Sequence, residues 1–130
     1  GWVKCNYDGS FQTGNEHSTV GWILRDDRGT YLGSGQVQGH RVSSALEGEC
    51  QALLIAMQQM WIRGHRNIIF EGDCKQLVNQ VNQETLDFGT FNWIREIWFW
   101  KDKLQEVLFQ WTSRTGNKAA DILAKRRQSG

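Results

Sequence analysis

The sequence contains no proline, only three cysteines and two methionines, and almost no net charge, +1 from 15 basic and 14 acidic side chains. Each scarcity excludes something. Without proline, chain reversals fall to the 14 glycines, and no polyproline linker divides the chain. Cys5, Cys50 and Cys74 are odd in number, widely spaced and without a CxxC pair. That pattern makes neither a disulfide framework nor a thiolate zinc site, and reads as reduced thiols in an intracellular protein. The longest apolar run, Ala52 to Met57, is far short of the ~18 residues that span a bilayer. No Arg-rich or apolar leader opens the chain. The reading is therefore an intracellular setting, nuclear or cytoplasmic, with no membrane association and no visible targeting signal. Balanced charge excludes a bulk polycation but leaves room for a local basic face. The chain opens on Gly1, and its methionines are Met57 and Met60. We read residues 1–130 as a single domain excised from a larger protein, with 39% hydrophobic residues to build one core.

Periodicity supplies the elements. Trp2 to Tyr7 alternates as a strand, Ser18 to Arg25 forms a second, and Thr30 to Val37 a third. The turn signal Asp26-Asp27-Arg28-Gly29 joins the last two into a hairpin. Ser43 or Ser44 caps a helix over Ala45 to Arg63, with Glu47 placed for a capping box and Gly64 as terminator. A buried strand follows at Asn67 to Phe70, then helices at Lys75 to Val81 and Phe91 to Leu104, a strand at Glu106 to Trp111, and a last helix at Asn117 to Lys125. The order β-β-β-α-β-α-α-β-α predicts an α/β fold. Three antiparallel strands and two right-handed parallel crossovers make a five-stranded mixed sheet flanked by helices. Helical spacing assigns Trp61, Trp93 and Trp98 to the core, and leaves Trp100 exposed beside any ligand.

Four acids stand at element ends or on apolar helices: Asp8 after the first strand, Glu49 in the first long helix, Asp73 after the fourth strand, and Asp121 among Ala119, Ala120, Ile122 and Leu123. Each alone has an ordinary reading, as a turn residue, a helix cap or a polar helix face. Together on this element order they form a repulsive cluster that a hard divalent cation would neutralise.

The runs that hold these acids resemble the motifs of type 1 ribonuclease H domains. They are Asn6-Tyr7-Asp8-Gly9-Ser10-Phe11, Gly48-Glu49-Cys50-Gln51-Ala52-Leu53, Ile68-Ile69-Phe70-Glu71-Gly72-Asp73-Cys74, and Asn117-Lys118-Ala119-Ala120-Asp121-Ile122-Leu123-Ala124. The resemblance covers nearly the whole chain. Val20 to Gly29 further resembles the hairpin of plant ribonuclease H-like domains, found alone or in LINE-type retrotransposon reverse transcriptases and similar to archaeal ribonucleases H. The resemblance implies hydrolysis of the RNA strand of an RNA/DNA hybrid with two Mg²⁺ ions, or Mn²⁺ in their place, held by Asp8, Glu49, Asp73 and Asp121. It implies a monomer, or a domain of a larger reverse transcriptase.

Two departures accompany it. The histidine that bacterial-type members carry ten residues before the last aspartate is replaced by Trp111. Arg114, seven residues before, matches the archaeal pattern and is assigned to proton or product handling. The basic protrusion is missing, since only Asn82 to Thr90, with two acids and no cation, separates the middle helices. Hybrid contacts are expected from Gly9, Ser10, Ser44 and Lys75, although Ser44 serves equally well as a helix cap. The usual asparagines before the helix glutamate are Ala45 and Leu46. These departures leave a second reading open, a non-catalytic nucleic-acid-binding module of the same fold.

Overall fold

The computed structural model describes residues 1–11, 17–83 and 88–119. Strands β1 (Val3–Ser10), β2 (Thr19–Asp26) and β3 (Tyr31–Gln38) precede helix α1 (Ala45–Ile62). Strand β4 (Asn67–Gly72), helices α2 (Lys75–Val81) and α3 (Phe91–Lys103), and strand β5 (Glu106–Trp111) follow. The sheet order is β3-β2-β1-β4-β5. β1–β2 and β2–β3 are antiparallel, and β1–β4 and β4–β5 are parallel, as the element order predicts. The last expected helix, Asn117 to Lys125, lies mostly outside the described residues.

Alternation along β1 explains the layering. Val3, Cys5 and Tyr7 pack into a core with Leu53, Ala56, Met57 and Met60 of α1, Ile94 and Ile97 of α3, and Val107 and Phe109 of β5. The Asp26 carboxylate stabilises the β2–β3 turn by accepting hydrogen bonds from the N–H groups of Arg28 (2.9 Å) and Thr30 (2.8 Å). At the start of α1 the Ser44 hydroxyl accepts from the Glu47 N–H at 3.1 Å. Glu47 reaches back to the N–H and hydroxyl of Ser43. Both serines thus take part in one box, with Ser44 as the cap, and the bonds from Ser43 hold the Glu47 carboxyl below its ordinary value.

Three expectations are corrected. β1 does not stop at Tyr7, because Asp8, Gly9 and Ser10 continue the ladder against Gly21, Val20 and Thr19. Asp8 is therefore in the sheet rather than in a turn. β4 likewise runs on to Gly72. Among the tryptophans, Trp61 is 36% exposed, since it stands on the last turn of α1, beyond the strands. It meets Trp100 edge-on with ring centroids 6.2 Å apart, and this contact leaves Trp100 half-buried rather than free. The fully enclosed tryptophan is Trp22 on β2.

Candidate active site

Three elements converge at one end of the sheet. β1 delivers Asp8 from the centre, α1 delivers Glu49 from its second turn, and the chain leaving β4 delivers Asp73. One carboxylate oxygen from each lies within 4.8 Å of the others. Two glycines allow the approach. A Cβ at Gly9 would overlap the Gly48 carbonyl, so strand and helix touch backbone to backbone there. A Cβ at Gly72 would strike the Tyr7 ring, so β4 can lie close against β1 just before Asp73.

The electrostatics of the cluster are those of crowded acids. Burial pushes the Glu49 carboxyl up to about 8, and the neighbouring Asp73 charge adds to the rise. The Gly9 N–H, donated to Glu49 Oε1 at 3.0 Å, works against it. Glu49 also hydrogen-bonds with Asp8 and Asp73, which requires a proton shared among the carboxyl groups. Lys4 pairs with Glu71, two residues before Asp73, at 3.5 Å. Three oxygen donors at close range suit a hard divalent ion.

Asp121 lies outside the described residues. Arg114 is exposed in the turn after β5. Ser44 is engaged as the α1 cap, and the Gly9 N–H is taken by Glu49. The Ser10 hydroxyl accepts from the Thr19 N–H at 3.1 Å. Lys75 is exposed, with its ammonium 5.8 Å from the centre of the Trp111 ring.

Behind the carboxylates is a polar network that the sequence reading did not assign. The Asn6 amide donates to Glu71 Oε1 at 3.0 Å and to Asn117 Oδ1 at 3.1 Å. Asn117 in turn donates to the Tyr7 carbonyl at 2.8 Å, and Gln110 donates to Glu71 Oε2. The network joins β1, β4, β5 and the turn after β5 directly below Asp8 and Asp73. One signal was available: Glu71 is a carboxylate within an apolar, buried run, which requires partners.

No curated protein matches the sequence. The profile of a reverse transcriptase-like family matches residues 6–127. The structure resembles RNase H1 from the halophilic archaeon Halobacterium salinarum, with a TM-score of 0.91, 20% identity, and coverage of 99% of this chain and 98% of that one. It resembles LC11-RNase H1, isolated from compost by a metagenomic approach and solved in complex with an RNA/DNA hybrid. That match has a TM-score of 0.83, 16% identity, and coverage of 95% and 94%. It also resembles part of the prototype foamy virus protease-reverse transcriptase, with a TM-score of 0.70, 13% identity, and coverage of 95% of this chain and 20% of that one. The sheet order and connections described above are therefore those of the ribonuclease H fold.

Proposed function

Because the chain belongs to the reverse transcriptase-like family and has the ribonuclease H fold, we propose that it is a ribonuclease H, an endonuclease that hydrolyses the RNA strand of RNA/DNA hybrids. The observation that carries this reading is the convergence of Asp8, Glu49 and Asp73 within 4.8 Å, since a binding-only module has no use for a repulsive cluster. These three, with Asp121 as the fourth ligand, hold Mg²⁺, or Mn²⁺ in its place. Bound there, two such ions would supply a water activated for attack and neutralise charge at the scissile phosphate.

The chain's own contributions follow from its geometry. Asp8, 4% exposed on the central strand, is the fixed donor. Glu49 is steered by the Gly9 N–H and would give up its proton to hold an ion. Arg114, exposed beyond β5, handles the proton or the product. Hybrid recognition runs through the sugar-phosphate backbone rather than base edges, with Lys75, Ser44, Ser10 and Gly9 along the contact. The foamy virus likeness supports a place as one domain of a larger reverse transcriptase, or alternatively a monomer. The plant-type hairpin resemblance supports service in a plant LINE-type retrotransposon. Among the described residues no helix is long and apolar enough to cross a membrane.

The test incubates the protein with a labelled RNA/DNA hybrid and Mg²⁺ or Mn²⁺, alongside Asp73→Asn. Metal-dependent cleavage of the RNA strand that disappears in the variant is expected. Binding of the hybrid without cleavage under either ion would replace this reading with the binding module, which Trp111, Ala45 and Leu46 favour.

A further inference from the structure

The sheet hydrogen bonding between β4 and β5 ends at Gly72 and Trp111, where the Thr112 N–H donates to the Gly72 carbonyl at 2.9 Å. Asp73 and Cys74 come after this last rung and before the first turn of α2. No strand partner holds them. One side chain does: the Trp111 indole N–H donates to the Asp73 carbonyl at 3.2 Å. The bond adds a rung beyond the end of the sheet, at the residue that carries one of the three clustered carboxylates. Trp111 is 47% exposed, and a large aromatic left half in water gains little from burial. Its ring is flanked by the Lys75 ammonium at 5.8 Å, so one indole is in contact with both sides of the Asp73–Cys74 corner.

The geometry points to Trp111 as a positioning residue for the metal centre. Its indole N–H fixes the backbone from which Asp73 projects, and so sets where that carboxylate stands relative to Asp8 and Glu49. This inference rests on the metal-binding reading of the three acids and adds a residue to it. Groups that orient ligands from behind typically alter metal affinity by about 10–100-fold when removed. An exposed bond to a backbone carbonyl belongs at the lower end of that range.

The fold supplies a matched control. Trp98 donates its indole N–H to the Val81 carbonyl at 3.0 Å, on α3 and away from the carboxylates. Phenylalanine at either position keeps an aromatic ring and deletes the donor, with the same loss of ring size in both variants. The experiment titrates Mn²⁺ into the unsubstituted chain, Trp111→Phe and Trp98→Phe, reading bound ion by calorimetry or the paramagnetic resonance of free Mn²⁺. Thermal midpoints of the metal-free proteins are measured in parallel. Mn²⁺ affinity about tenfold weaker in Trp111→Phe, and unchanged in Trp98→Phe, is expected, whatever each variant does to the metal-free midpoint. Equal affinity in all three proteins overturns the positioning role and leaves the metal centre intact. An equal loss in both variants also overturns it, since a general loosening would then explain the effect. If the unsubstituted chain binds no Mn²⁺, the metal-centre reading fails, and the role of Trp111 fails with it.

Discussion

A glutamate that holds its proton near neutrality makes stability and metal binding pull in opposite directions with pH. The Glu49 carboxyl is raised from 4.5 to about 8 by burial and by the Asp73 charge. Within that window the native state keeps a proton that the unfolded chain has released. The stability of the metal-free protein therefore falls as pH rises from about 4.5 to about 8. Ion binding needs the deprotonated carboxylate, so affinity rises over the same interval. Thermal unfolding across this range is expected to show a declining midpoint without metal. Glu49→Gln flattens the decline, and saturating Mn²⁺ offsets it for the parent chain but not for the variant. Asp8, Glu49 and Asp73 were legible in the sequence only together: each alone has an ordinary reading, and their joint placement on this element order made them a cluster. The Trp111 bond was not legible, since a tryptophan at a strand end carries no sign of which carbonyl its N–H will meet.

Elements were legible wherever periodicity was strong, and their ends were not. α2 and β5 have the boundaries that alternation predicts, whereas β1 extends to Ser10 because β2 offers partners that no local pattern announces. The clamp between the turn after β5 and strand β1 belongs to this scale. It depends on Asn117, which is 1% exposed and satisfied on both ends of its amide. Asn6 and Asn117 lie 111 residues apart in sequence, so nothing local links them. Asn117→Ala takes a donor from the Tyr7 carbonyl and one of two acceptors from the Asn6 amide, which keeps Glu71, and is expected to cost about 1–3 kcal/mol, read from the denaturant midpoint. Ser44→Ala removes only a partly exposed cap and is expected to cost about 1 kcal/mol. A larger loss at Ser44 than at Asn117 would reverse this ranking.

For the whole molecule, the proposed metal centre links metal and fold by mass action. An ion that binds only the native state at a hundred times its Kd adds about 2.7 kcal/mol, which is about 10 °C in midpoint for a chain of this size. A scan with and without Mn²⁺ checks this without any substrate. No gain in midpoint would contradict a preformed carboxylate centre. The architecture itself was legible from element order, because a helix between strands of one sheet forces the parallel crossover. That crossover has one more consequence. β1 finds β2 nearby, but it meets β4 only after a long loop closes, and contacts such as Asn6 to Glu71 span 65 residues. Asp8 and Asp73 lie just past that pairing. During synthesis a ribosome can release the β1–β2–β3 meander as a paired sheet while the ion site does not yet exist. On the proposed reading, capture of the cation would require the crossover to have closed, and a chain stalled before residue 73 would lack Asp73 and be chemically silent.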